Sequence, residues 1–179
     1  MAEEFLVVTA VGTDRPGIVA DLTHLLAERG ANVADSRMAV LGGEFALMML
    51  ISAGDEGLAG LRSDLAGVGQ RLGLELIVKD TRSPVAHRAG RVRSYEIAVH
   101  ALDHPGIVHA VSAALQSLGG NIVSLNTSAY QAAITGAPLF EMEVSADFPA
   151  AVSAARLREA LGQVSEAANA DIEVRPAAQ

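Results

Sequence analysis

Hydrophobic positions along the chain alternate between two rhythms, and the order of those rhythms is written twice. Phe5-Leu6-Val7-Val8-Thr9-Ala10-Val11 is a short apolar, β-branched run, as a buried strand requires. Ile18, Val19, Leu22, Leu25 and Leu26 then recur three and four apart, which predicts a helix from about Pro16 to Arg29 with Gly30 as its stop. From Asn32 to Val40, apolar Val33, Met38 and Val40 mix with polar residues, as in a strand with one exposed face or near an edge. Gly42-Gly43 divides this stretch from Glu44-Phe45-Ala46-Leu47-Met48-Met49-Leu50-Ile51, and a two-glycine break between strand-like runs predicts a hairpin. Leu58, Leu61, Leu65, Val68 and Leu72 mark a second helix, with Asp55 as its expected cap. Leu74 to Val78 closes the unit as a fourth strand. The order βαββαβ is the ferredoxin-like split arrangement, an α+β fold in which two helices cover one face of a four-stranded antiparallel sheet.

The second half repeats the plan. Tyr95 to Leu102 alternates more cleanly than its counterpart, and Ile107, Val108, Val111 and Leu115 mark a helix ending at Gly119-Gly120. Asn121 to Leu125 opens the next strand, and a longer hairpin follows around Gln131 to Pro138. Leu139-Phe140-Glu141-Met142-Glu143-Val144 alternates, so one face of that strand is expected to be wet. Asp147 and Pro149 are expected to start the last helix, which carries Val152, Leu157, Leu161 and Val164, and Ile172 to Val174 forms the final strand.

The repeat is sharpest at the first strand-to-helix turn. Asp14-Arg15-Pro16-Gly17-Ile18-Val19 returns as Asp103-His104-Pro105-Gly106-Ile107-Val108. The same step carries Leu26 to Leu115, Gly30 to Gly119, Asn32 to Asn121 and Val33 to Ile122, so the chain reads as two copies of one domain. The domains are expected at 1–80 and 93–179, joined by a linker over 81–92 that is rich in Pro, Gly and Ser and lacks periodicity. Arg82, Arg88 and Arg91 in it, with Arg93 just beyond, concentrate positive charge in an otherwise acidic chain. Within each turn, proline is tolerated because a helix's first N–H groups have no intrahelical partner. Asp14 is placed to accept those N–H groups, and Gly17 lets backbone approach either packed chain or a ligand.

Composition narrows the function. The 179 residues are 50% hydrophobic but only 3% aromatic, so the cores must be aliphatic and no base-stacking platform is available. A net charge of −8, from 13 Lys+Arg against 21 Asp+Glu, repels a phosphate backbone. No helix-turn-helix pattern, basic stripe or zinc-knuckle spacing is present, so direct nucleic-acid contact is not expected. The absence of cysteine removes disulfides, thiolate metal sites and thiol nucleophiles. The acidic start Met1-Ala2-Glu3-Glu4 and the lack of any membrane-length apolar run lead to the expectation of a soluble, cytoplasmic protein without membrane association.

A strand, then Asp-x-Pro-Gly-Ile-Val, then a helix ending in Gly, then Asn-Val or Asn-Ile, all within a βαββαβ unit, resembles the ACT domain. The tandem pair, with Ala-Asp-Ser-Arg-Met-Ala-Val-Leu-Gly-Gly-Glu-Phe at 34–45, resembles the glycine cleavage system transcriptional repressor family over essentially all of residues 4–175. That resemblance implies a non-enzymatic regulatory protein without cofactor or metal. It implies an amino-acid ligand, with glycine or serine as candidates, bound by the first strand–helix loop and the start of the second strand, commonly where neighbouring modules pair. The residues so implied are Asp14, Arg15, Gly17, Ile18, Asn32 and Val33, with Asp103, His104, Gly106, Ile107, Asn121 and Ile122 opposite. A ligand carboxylate suits backbone N–H groups at a helix N-terminus, and its ammonium needs acceptors such as the asparagine carbonyls or the aspartates. Regulation would pass through a DNA-binding partner protein, and exposed second strands would favour side-by-side pairing within the chain or in a homodimer.

Other readings are weaker. Gly42-Gly43-Glu44-Phe45 matches the signature loop of diguanylate cyclases, but that domain's other motifs are absent. Arg15 and Asn32 imitate the acylphosphatase pair, yet Asp14 puts a carboxylate where that enzyme has a glycine-rich phosphate cradle, and His104 replaces the arginine in the second copy. His100, His104 and His109 belong to a strand, a turn and a helix, so nothing holds them at metal-ligand spacing. The serious rival is a ligand-free adaptor, in which both asparagines only satisfy turn backbone after a helix stop.

Overall fold

The computed structural model describes residues 4–81 and 92–177. The chain divides into two units, Met1–Ala89 and Gly90–Gln179. Of the linker expected over 81–92, residues 82–91 lie outside the described residues, while Thr81 and Val92 belong to strands.

In the first unit, strand β1 (Glu4–Thr13) leads through a turn into helix α1 (Ile18–Glu28). Strands β2 (Asn32–Leu41) and β3 (Glu44–Ala53) form a hairpin, helix α2 (Asp55–Leu72) follows, and β4 (Leu74–Thr81) completes an antiparallel sheet ordered β2-β3-β1-β4. The second unit repeats this as β5 (Val92–Leu102), α3 (Ile107–Ser117), β6 (Asn121–Gln131), β7 (Pro138–Pro149), α4 (Ala154–Ala168) and β8 (Asp171–Pro176), with sheet order β6-β7-β5-β8. The expected βαββαβ architecture is therefore present twice.

Each unit has its own core between its helices and one face of its sheet, mostly aliphatic but with Phe45 in the first and Tyr95, Phe140 and Phe148 in the second. Leu6, Val8 and Ala10 of β1 meet Leu22 and Leu26 of α1 and Leu61 and Leu65 of α2. Ile97 and Val99 of β5 meet Val111 and Leu115 of α3 and Leu157 and Leu161 of α4. The period-two alternation in the strands sends every second side chain into these cores. Strands β2 and β6 are sheet edges and stay exposed along nearly their whole length.

Three local expectations are corrected. Helix α1 begins at Ile18 instead of Pro16, because Gly17 holds a left-handed φ of 95° that no helical residue adopts. Asp55 is the first residue of α2, its N-cap is Gly54, and no side chain caps it. Asp147 and Pro149 end strand β7 instead of starting a helix; the last helix begins at Ala154, where Ser153 Oγ accepts the Arg156 N–H at 3.3 Å.

Candidate functional site

The two strand-to-helix turns share one construction. The Asp14 N–H donates to the Gly43 carbonyl at 2.9 Å, and the Asp103 N–H donates to the Pro138 carbonyl at 2.9 Å. Each loop is thus stitched to the hairpin between the second and third strands of its unit. Gly17 and Gly106 stand at the helix N-caps with φ of 95° and 102°, and neither helix has a side-chain cap. A Cβ at either position would meet no heavy atom within 4 Å, so backbone conformation demands glycine here and the space above it is open. The expected capping role of Asp14 is not realised. The first-turn N–H groups of α1 and α3 instead have no side-chain cap among the described residues.

Around this shared frame the two loops diverge. Arg15 Nη1 donates to the Pro16 carbonyl at 3.3 Å, and its Nη2 lies 3.7 Å from Asp21 in the first turn of α1. His104 instead spans two elements: Nδ1 lies 3.1 Å from the Pro105 carbonyl oxygen and Nε2 3.2 Å from that of Ala168, at the end of α4. The Pro105 carbonyl and then the Ala168 carbonyl raise the His104 pKa above its ordinary 6.5; Asp103 adds to this, and partial desolvation opposes it. Ile18 and Ile107 are only 2% exposed, so they offer a ligand backbone alone and spend their side chains in the cores.

Asn32 and Asn121 open β2 and β6. Among the described residues neither carboxamide has a hydrogen-bond partner, so neither satisfies the preceding turn, whose N–H groups already bond to helix carbonyls (Ala31 N–H to Leu26, Gly120 N–H to Leu115, each 2.9 Å). Val33 and Ile122 pack half-buried against their cores. Immediately after them both ladders skip one residue, Ala34 in β2 and Val123 in β6, as a β-bulge repeated at the same place. In the second unit Asn121 pairs with Asp147, whose carboxylate accepts the Ser94 hydroxyl at 2.5 Å.

The structure does not bring the two halves of the expected site together within a unit. Thr13 pairs with Glu44 at the loop end of the first sheet, whereas Asn32 pairs with Ser52, itself opposite Phe5 at the other end. About eight residues of strand separate these ends, or about 26 Å at the usual rise. The second unit has the same layout, with Leu102 and Leu139 at the loop end and Asn121 near Asp147 and Ser94 at the other. Within one module the two groups of expected site residues therefore lie at opposite ends of the sheet. A cavity of about 480 Å³ lies elsewhere, between α3 and α4, lined mainly by small and apolar side chains together with Arg156 and Glu159.

Nothing in the sequence reading signalled the repeated bulge, the stitching of loop to hairpin or the bridge from His104 to α4. Among the described residues no group of His, Cys, Asp or Glu is placed to hold a metal ion, and no helix is long and apolar enough to cross a membrane.

Comparison with known proteins sets this geometry in context. The model of the ACT domain family matches residues 4–79. The glycine cleavage system transcriptional repressor of Escherichia coli (strain K12) is 30% identical over 169 residues, covering 94% of this chain and 88% of its own. A crystal structure of an unknown protein from Galdieria sulphuraria superposes with a TM-score of 0.81 at 34% identity, over 99% of this chain and 100% of its own. A second, provisionally assigned as a glycine cleavage system transcriptional repressor, superposes over the full length of both chains with a TM-score of 0.73 at 28% identity.

Proposed function

The chain belongs to the family of the glycine cleavage system transcriptional repressor, built from tandem ACT domains, and from this premise we propose that it is a non-enzymatic cytoplasmic sensor of a free amino acid. The observation that carries the reading is the open Gly17 turn and its copy at Gly106. Each helix N-terminus lacks a side-chain cap and the glycine before it has open space at its missing Cβ, an arrangement suited to a carboxylate. The free carboxamides of Asn32 and Asn121 supply acceptors for an ammonium group, with the aspartates of the turns as further acceptors.

Because the turns and the asparagines lie at opposite ends of the sheet, a complete site needs two modules. An antiparallel pairing along β2 or β6 lays the loop end of one module beside the asparagine end of another, and the open edges of these strands offer the hydrogen bonds for it. Ligand occupancy then changes how modules pair, and the signal reaches transcription through a DNA-binding partner protein, since the chain's own charge of −8 disfavours DNA.

The test is thermal unfolding against the twenty amino acids at millimolar concentration. A ligand binding only the folded state raises stability by about 2.7 kcal/mol when present at a hundred times its dissociation constant. A selective upward shift for glycine or serine, abolished in Asn32→Ala with the fold intact, supports the reading. No shift for any amino acid replaces it with the ligand-free adaptor.

A further inference from the structure

The two sheets differ on the faces that their helices leave open. In the first unit the alternation that buries Leu6, Val8 and Ala10 turns Val7, Thr9 and Val11 outward, and the register sets them beside Leu50, Met48 and Ala46 of β3. Ile77 of β4 joins them opposite Thr9. Between these residues the two central strands carry a largely apolar face, with Glu44 at the hairpin end of β3 as its charged side chain, and Val11, Met48 and the neighbouring Ile77 are 44%, 53% and 57% exposed. Charge lies around the margin: Glu44 at the end of β3, Asp35 and Arg37 paired with each other on β2, and Glu75 and Lys79 on β4. The corresponding central strands of the second unit place Glu96 and His100 beside Ser145 and Glu141, with Glu143 opposite Ala98. There His100 Nδ1 lies 3.6 Å from a Glu141 carboxylate oxygen, and the face is predominantly acidic.

We propose that the open face of the β2-β3-β1-β4 sheet is a homodimer interface that packs against the same face of a second copy. A twofold interface sets a patch against itself, so it tolerates apolar centres and rejects clusters of one charge. The first face meets that condition and the second does not. An apolar centre with a charged rim is also the usual anatomy of an interface. Four strands about 4.8 Å apart and about 27 Å long give a footprint of about 500 Å² per copy, or about 1,000 Å² for the pair, where specific interfaces begin. Sheets packed face to face approach to about 10 Å and interdigitate, so side-chain relief adds to that area. This contact leaves the β2 edge free and does not depend on a ligand.

Sedimentation equilibrium of the full chain tests the proposal. The wild type is expected to dimerise. Met48→Glu places two carboxylates in the contact and should raise the dissociation constant at least about a hundredfold, while the unfolding midpoint of the dilute protein stays unchanged. Ile77→Lys serves as the second disrupting variant, and Glu143→Gln on the other sheet should leave the dimer intact. Because the chain has no cysteine, Met48→Cys introduces a unique thiol. Its maleimide labelling should slow as protein concentration rises. A monomeric wild type, a dimer that survives both Met48→Glu and Ile77→Lys, or labelling independent of concentration would each overturn the proposal. A dimer broken by Ala39→Pro on the edge strand but not by Met48→Glu would do the same, in favour of edge pairing.

Discussion

His104 Nε2 lies 3.2 Å from the carbonyl oxygen of Ala168, which ties the first turn of the second unit to the C-terminal end of α4. The other ring nitrogen faces the Pro105 carbonyl at 3.1 Å, so only the doubly protonated ring donates to both. These carbonyls hold the folded-state pKa above the ordinary 6.5. A pKa raised by folding gives stability that is complete below the unfolded pKa and is lost as pH rises through the folded one. The difference in unfolding midpoint between wild type and His104→Gln should therefore be larger at about pH 5.5 than at about pH 8.5. An NMR titration of the ring should place its pKa above that of a free histidine. A midpoint difference that grows with pH would contradict the bridge.

Gly17 and Gly106 are required only by backbone conformation, since nothing occupies the place of their missing Cβ. Gly17→Ala and Gly106→Ala should each lose about 1–2 kcal/mol in urea unfolding, the usual cost of a left-handed φ for an L-residue. Gly12 provides the contrast. Its φ is ordinary, but a Cβ there would lie 2.7 Å from the Gly73 carbonyl oxygen and 2.8 Å from Leu74 Cδ2. Gly12→Ala must push β1 from β4 and should cost about 1–3 kcal/mol through overpacking.

Asn32 is exposed and engages no protein group among the described residues. Asn32→Ala should therefore leave stability within about 0.5 kcal/mol of wild type, as for surface substitutions away from structural features. A larger loss in urea unfolding would mean that the carboxamide supports the turn, as the adaptor reading requires.

The sequence shows the fold more fully than the site, for physical reasons visible at single residues. Every-second-residue burial in β1 and β7 and the leucine spacing in α2 are local patterns, so strands and helices can be read from neighbours along the chain. The Gly42-Gly43 hairpin is equally local, with φ of 61° and 87° as its turn demands. Asp14 and Asn32 stand close in motif order, yet α1 carries the chain back along the sheet between them, and that separation follows from topology alone. The Asp147-Pro149 pair looks like a helix start, but cross-strand pairing with Asn121 and Val92 keeps it in the ladder. The His104 contact joins residues from opposite ends of the second unit, and no local pattern announces it.

The two units also differ where their first helices stop, and the difference is a matched pair. Gly120 of the second unit corresponds to Ala31 of the first, and Phe148 to Ala53. A Cβ on Gly120 would lie 2.5 Å and 2.8 Å from Phe148 ring carbons and 2.8 Å from the Leu115 carbonyl oxygen. Phe148 is fully buried and sets its ring against Tyr95 edge-on, with centroids 5.8 Å apart. In the first unit both positions are alanine, and the smaller Ala53 leaves room for the Ala31 methyl. Gly120→Ala should cost about 1–3 kcal/mol, since both a buried ring and a backbone carbonyl lie closer than a Cβ can tolerate. Phe148→Ala should cost about 3–5 kcal/mol by leaving a cavity. Combining them removes the clash with the ring and puts a methyl at the edge of the vacated space. The double variant should accordingly be more stable than the sum of the single losses implies, by about 0.5–3 kcal/mol, the range for residues in contact. Urea unfolding of the four proteins measures this coupling. Strict additivity would show that the Leu115 carbonyl alone, and not the ring, excludes a side chain at Gly120.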